Sequence, residues 1–337
     1  MFGYDIGIDL GTATVLIYIK GKGIVLQEPS VVAIDSYTKK VLRVGLEAQE
    51  MLGRTPGSIE AIRPLRDGVI SDFEVTAKML KYFIKKVCGN TIFKPRVVVC
   101  IPSIVTEVEN RAVLDAAYQA GAKWAEVIEE PKAAAMGAGI DISKPNGNLI
   151  VDIGGGTSDV AVISFGDIVN SRSVKIAGDK FDEAIVKHIR KNHNVLIGDR
   201  TAEDIKIKIG CMVPRESDIS MEVKGRCLLT GLPKNITVYS SEIMECLLEP
   251  AATITEAIHA VLEETPPELV GDISVNGVYM TGGGSLVYGF DKYISGKIGI
   301  DVRIADDPVC CVAKGTGYSL EYINVLRSSG KNRLFIN

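Results

Sequence analysis

Short apolar runs broken by glycine-rich turns recur along the chain, and two of them share one layout. The first is Ile6-Gly7-Ile8-Asp9-Leu10, followed by a Gly11-Thr12-Ala13-Thr14 turn and a second apolar run at 15–19. The other is Leu149-Ile150-Val151-Asp152-Ile153, followed by Gly154-Gly155-Gly156-Thr157, Ser158-Asp159 and an apolar run at 160–164. Apolar runs on both sides of a glycine turn predict a β-hairpin in each place.

Between these hairpins the pattern predicts strands at 23–25 and 31–34, a polar turn at 36–40, and small helices and loops over 46–64. Val75, Met79, Phe83 and Val87 recur every four residues, which predicts a helix over 74–87. A buried strand at 96–101 ends at Pro102, and a helix over 107–120 is expected to bury Val108, Ala112, Ala116 and Ala120. A short strand at 126–128 leads to Glu129-Glu130-Pro131 and a small-residue helix at 132–138.

The second hairpin begins the same plan again. Strands reach 176, helices are expected over 181–191 and within 202–238, and a polar hairpin shares the latter stretch. A long helix at 241–264 contains Pro250, expected to kink it, and Thr265-Pro266-Pro267 stops it. A buried strand at 277–281 then meets Gly282-Gly283-Gly284-Ser285. An Asp hairpin first and a buried strand with a breaker later, in both halves, reads as an internal duplication: two α/β domains with a cleft between them. Ligands in such folds lie at the carboxyl ends of the strands.

Composition adds limits. A chain of 337 residues exceeds the usual growth of one core, so two domains are expected. The formal net charge of -4 gives no electrostatic case for nucleic-acid binding. Seven scattered cysteines without metal-ligand spacing point to reduced thiols in a cytosolic protein, and Cys100, inside an apolar run, reads as a small hydrophobe. His188, His193 and His259 read as surface or packing residues. Asp5 and Asp9 interrupt the first apolar stretch, which argues against a signal peptide, and no apolar stretch is long enough to span a bilayer.

The hairpins carry the candidate chemistry. Turn glycines let backbone N–H groups approach an anion. The strand-end Asp9 and Asp152 suit Mg²⁺, which takes carboxylates plus waters. Two such hairpins face to face would clamp a nucleotide triphosphate.

These hairpins, with Thr281-Gly282-Gly283-Gly284-Ser285, resemble the actin, Hsp70 and sugar kinase superfamily. Glu28-Pro29-Ser30-Val31-Val32-Ala33, Ile62-Arg63-Pro64-Leu65-Arg66-Asp67-Gly68, Ile128-Glu129-Glu130-Pro131, Ala177-Gly178-Asp179 and Glu264-Thr265-Pro266-Pro267 are similar to the MreB family of bacterial actins. The resemblance covers essentially the whole chain. It implies an actin-like ATPase fold of two duplicated RNase H-like α/β domains around a nucleotide cleft, each split into a large and a small subdomain. The expected division is 1–140 plus 316–337, with a small subdomain at about 33–73, and 141–315, with one at about 181–240.

Carried over residue by residue, Thr12, Ala13 and Thr14 form the first phosphate loop, and Gly154, Gly155, Gly156 and Thr157 the second. Asp9 and Asp152 position Mg²⁺, mostly through water. Gly178, Asp179, Glu203 and Lys206 belong to the nucleotide site, with Glu203 accepting from sugar hydroxyls. Gly282, Gly283, Gly284 and Ser285 give the nucleotide a backbone turn to lie on. Glu130 is the residue expected to orient the attacking water, with Thr157 beside it and Glu129 as the competing carboxylate.

The resemblance further implies a slow ATPase, with ATP or ADP and Mg²⁺ as ligands. The chain would polymerise with itself into antiparallel double filaments and guide cell-wall elongation and rod shape. Its partners would be the inner face of the cytoplasmic membrane and the membrane-anchored elongation machinery, and its location cytoplasmic and peripheral to that membrane. Met1, Phe2, Ile92 and Phe93 are the candidate membrane residues, tucking into a core being the other reading. A small-molecule kinase or a nucleotide switch of the same superfamily is the alternative, although no buried carboxylate beyond Glu129 and Glu130 stands out to face an acceptor.

Three positions depart from the family pattern. Thr14 replaces the usual Asn, Asp159 stands where Glu is frequent, and Lys132 occupies a commonly apolar position. Lys132 is expected to point to solvent; pointing inward, it would pair with Glu130.

Overall fold

A computed structural model describes residues 4–89 and 93–322. The first hairpin forms as β1 (Asp5–Leu10) and β2 (Thr14–Ile19), in register from Ile6 opposite Ile19 to Leu10 opposite Val15. β3 (Gly23–Pro29) pairs antiparallel with β2. β4 (Val32–Asp35), β5 (Val41–Val44), the single-turn α1 (Leu46–Gln49) and β6 (Ile59–Ile62) follow, with β4 central in a small separate sheet. β6 falls where only helices and loops were expected; it is too short to show a period, and pairing with β4 decides its state.

A minimal hairpin, β7 (Leu65–Arg66) and β8 (Val69–Ile70), leads into α2 (Phe73–Cys88), where the Asp72 side chain accepts from the Val75 N–H. Next come β9 (Arg96–Ile101), α3 (Glu107–Gln119), β10 (Trp124–Glu129) and α4 (Glu130–Gly137). Thr106 and Glu109 cap the start of α3 reciprocally. Ala116 and Ala120 of the expected stripe are buried, but Ala112 is only partly so, Val108 is 79% exposed, and Val113 and Ala117 complete the buried face. Positions spaced strictly by four drift off the face of a helix with 3.6 residues per turn.

The second half comprises β11 (Asn148–Ile153), β12 (Ser158–Ser164), β13 (Asp167–Val174), α5 (Gly178–His193), β14 (Val195–Leu196), α6 (Asp199–Ile209), β15 (Ser220–Cys227) and β16 (Pro233–Tyr239). Then come α7 (Ser240–Glu263), which passes through Pro250 as one helix, α8 (Pro267–Asn276), β17 (Val278–Thr281), α9 (Phe290–Ile298), β18 (Val302–Ile304) and α10 (Cys311–Ser319). His188 and His193 on α5 both bond Glu242 on α7, a packing role.

The duplication is visible in the sheets. One has the order β10-β9-β1-β2-β3, the other β18-β17-β11-β12-β13. In each, an antiparallel hairpin is extended on one side by a third antiparallel strand and on the other by two parallel strands. Each sheet has its own apolar core. A third cluster joins Val98, Cys100 and Ile128 of the first sheet to Ile150 and Ile163 of the second through the alanines of α4. There α4 and α10 cross closely, and a Cβ on Gly315 would collide with the Ala133 carbonyl. Among the described residues, no helix is long and apolar enough to cross a membrane.

Candidate functional site

The carboxyl ends of β1 and β11, the central strands of the two separate sheets, meet in one region, and with them Asp9 and Asp152. The turns of the two hairpins meet: a Cβ on Gly155 would lie 2.7 Å from the Ala13 Cβ, and one on Gly156 2.7 Å from the Thr12 Oγ1. Only glycine permits that approach. A cavity of about 370 Å³ lies beside these turns. Asp9, Thr12, Ala13 and Thr14 line it from the first hairpin; Asp152, Gly154, Gly155, Gly156 and Thr157 line it from the second. Glu130, at the start of α4, completes this end, and Gly178 and Asp179 come from the start of α5. Glu203 and Lys206 on α6, and Gly282, Gly283 and Gly284 after β17, also face it. Ser285 lies outside the wall, buried, with its hydroxyl donating to the Gly282 carbonyl at 2.6 Å.

Four carboxyl groups crowd the hairpin end. Burial pushes Asp9 up to about 6, moderated by the Cys100 thiol, which donates to its Oδ1 at 3.3 Å. Burial likewise pushes Asp152 up to about 7, against the Thr281 hydroxyl donating at 2.7 Å. Glu130 is raised well above the usual range, first by desolvation and then by Asp159, Asp152 and Asp9. Asp159 is raised by burial but held by the Ser103 N–H at 2.9 Å, the Ser103 hydroxyl at 2.8 Å and the Ser173 hydroxyl at 3.2 Å. With these donors Asp159 keeps the charge more readily, and Glu130 takes the proton.

An all-oxygen donor set with excess negative charge fits a hard divalent cation. Among the described residues, no three acidic, histidine or cysteine side chains converge to hold a metal by themselves. A Mg²⁺ here would be bound through one or two carboxylates, with waters and phosphate oxygens as its other ligands. Ile207, Leu286, Val287, Val309 and Val312 add apolar surface to the cavity wall, suited to a flat base. Lys206 donates to the Gly178 carbonyl at 3.1 Å and to Asp182 at 2.9 Å, and burial raises Asp182 to about 6 despite this partner.

Several of these features escaped the sequence reading. Asp159 is a further fully buried carboxylate, and Cys100 is both a core residue and a donor to Asp9. Ile207 did leave a signal, since it is apolar but off the buried Ala202, Ile205 and Ile209 stripe of α6. Lys132 corrects an expectation: it is 1% exposed rather than solvated, and it bonds Asp167 at 2.7 Å and Glu129 at 3.4 Å, not Glu130. The core around α4 leaves its stem no route to water except beside those carboxylates. Met1, Phe2 and Ile92 lie outside the described residues, and Phe93 is 52% exposed.

Comparison with known proteins agrees with this geometry. A family model described as MreB/Mbl protein matches residues 3–328. The cell shape-determining protein Mbl of Bacillus cereus is 56% identical over 97% of this chain and 98% of its own length. The cell shape-determining protein MreB of Escherichia coli is 51% identical over 96% of this chain and 95% of its own length. A crystal structure of MreB 5 of Spiroplasma citri bound to AMPPNP superposes with a TM-score of 0.93 at 42% identity, covering 98% of this chain and 100% of that one. The MamK double helical filament, at 22% identity and a TM-score of 0.80, shares the fold.

Proposed function

The chain belongs to the MreB/Mbl family of actin-like, cell shape-determining proteins, and from that premise we propose that it binds ATP with Mg²⁺ in the cleft, hydrolyses it slowly and polymerises. The observation that supports this best is the convergence of both glycine hairpins, Asp9, Asp152, Glu130 and Thr157 on one cavity. Related chains bound to AMPPNP and to ADP support a nucleotide as the ligand. The proposed lobes are 1–140 plus 316–337 and 141–315.

In this reading the hairpin turns hold the phosphates, and Glu203 and the apolar wall hold sugar and base. Mg²⁺, when bound near Asp9 and Asp152, supplies positive charge to the phosphate oxygens. Glu130 orients a water with help from the Thr157 hydroxyl, and positioning of this kind is most of the work in phosphoryl transfer. The filaments are proposed to be antiparallel pairs, peripheral on the inner face of the cytoplasmic membrane, where they guide the membrane-anchored cell-wall elongation machinery and so rod shape.

Co-sedimentation with ATP and Mg²⁺, with phosphate release followed in the same tubes, tests the core of this reading. Wild type should pellet and release phosphate; Glu130→Ala should pellet and lose at least about tenfold in release, in the range for a lost positioning group. A wild type that stays soluble and monomeric across protein concentrations with ATP bound would favour a kinase or switch instead.

A further inference from the structure

We propose that Lys132 is a positioning residue for hydrolysis, acting through Glu130; the inference rests on the reading that Glu130 orients the water. Lys132 lies on the first turn of α4, two residues after Glu130. Its side chain is closed off from solvent, whereas its partner Asp167 remains two-thirds exposed and lids the ammonium group. Enclosing an ammonium is unfavourable unless it is paired, and because Asp167 stays largely solvated, an apolar residue of the same volume would leave it no buried unpaired charge. Stability alone therefore gives no reason for a lysine here.

The partners give one. Asp167 opens β13, just past the turn that ends β12. Asp159 lies at the other end of β12, where Ser103, in the loop after β9, donates to it twice. The Thr157 side chain also bonds Asp159. Thus β12, in the second sheet, is fastened at both ends to elements that follow strands of the first: at one end by Ser103 to Asp159, at the other by Lys132 to Asp167. Backbone bonds from Phe165 to the Lys144 carbonyl and from Gly166 to the Ile142 carbonyl hold the turn itself. With both fastenings made, β12 cannot slide along α4, and Thr157 at its head keeps its place relative to Glu130 at the head of α4. The contact of Lys132 with Glu129 at 3.4 Å draws the residue before Glu130 into the same brace.

The test compares steady-state phosphate release by wild type, Lys132→Met, Asp167→Asn, the double variant and Glu130→Ala, under polymerising conditions, with pelleted mass and melting temperature recorded. Lys132→Met should lower kcat by about 5- to 20-fold, short of the hundredfold that an ångström of misplacement can cost. KM for ATP, pelleted mass and melting temperature should stay near wild type, a split that marks an interaction used in the transition state rather than in binding. Asp167→Asn should lower kcat less, since Glu129 still holds the ammonium, and the double variant should be no slower than Lys132→Met, because both remove one pair. Asp167 is exposed enough that its variant tests the proposal even if Lys132→Met fails to fold. Unchanged kcat in Asp167→Asn and Lys132→Met, or kcat falling together with ATP affinity and melting temperature, overturns the role. Wild-type phosphate release by Glu130→Ala overturns the hydrolysis reading itself.

Discussion

At the scale of single residues, the carboxyl cluster is the clearest case of structure held against its own preference. Asp152 lies next to the end of a strand that is buried throughout, so the site that suits a cation also removes the carboxyl from water. Burial raises it from 3.8 to about 7. The folded chain therefore binds a proton that the unfolded chain has already lost between those two values, and stability falls as pH rises through that window. At about 1.4 kcal/mol per unit the upper bound is about 4 kcal/mol. Asp152→Asn keeps an acceptor for the Thr281 hydroxyl while removing the charge. Without metal or nucleotide, its melting temperature should gain on wild type by a few degrees between pH 4 and pH 8, as calorimetry would show. An equal difference at both pH values would mean that Asp152 is ionised throughout. Saturating Mg²⁺ and ATP should reverse the order at pH 8, because the wild-type carboxylate then has its counter-ion.

At the scale of elements, the short pairs of strands place charges across the mouth of the cleft. β6 and the β7–β8 hairpin carry Arg63 and Arg66 to one side of a second cavity of about 520 Å³, and the starts of α5 and α6 carry Asp179, Asp182, Glu183 and Asp199 to the other. Thr12 and Asp179 line both this vestibule and the nucleotide cavity. One ion pair spans the gap, Arg63 to Asp179 at 2.9 Å. Both partners are about one-third exposed, so solvent screening limits the pair to about 1 kcal/mol or less. Arg63→Ala should accordingly release a fluorescent ADP about two- to fivefold faster in stopped flow, with the effect shrinking at high salt. Release as slow as in wild type would mean the pair does not bar the exit.

What the sequence showed and what it hid also separates by element. The hairpins around Asp9 and Asp152 were legible because apolar runs and glycine turns are local signals, and the duplication followed from their repetition. β6 was not legible, since its strand state depends on β4, more than twenty residues away. The burial of Lys132 was hidden for the same reason, because its partner Asp167, at the start of β13, is distant in sequence. Asp159 shows the limit most clearly. Its place after the second glycine turn was visible, but that it bonds Ser103 of the other half needed the packed sheets. The packing of α4 on α10 was equally silent in the pattern, yet it makes a sharp expectation. Gly315→Ala places a methyl against the Ala133 carbonyl in the joint between the sheets. It should lower the melting temperature by several degrees or leave the chain insoluble; an unaffected variant would show that the joint relaxes at little cost.

At the scale of the whole molecule, weak single contacts gain force only by repetition. Phe93 is half exposed, and a phenylalanine buried from water contributes only about 1.5–3 kcal/mol. One subunit would therefore hold a lipid surface loosely, even with a second apolar residue beside it. A filament that presents the same residue from every subunit converts later contacts into intramolecular ones, and binding then rises steeply with filament length. The net charge of -4 offers no electrostatic substitute on an anionic surface. Membrane binding by this route should thus depend on polymerisation and on apolar side chains together, and little on salt. Phe93→Ser combined with Phe2→Ser should abolish co-sedimentation with anionic liposomes and leave filament pelleting without lipid intact. Wild type kept monomeric, without ATP, should also fail to bind. Liposome binding that survives both the double substitution and the removal of ATP would place the membrane contact elsewhere on the molecule, and salt-sensitive binding would make it electrostatic.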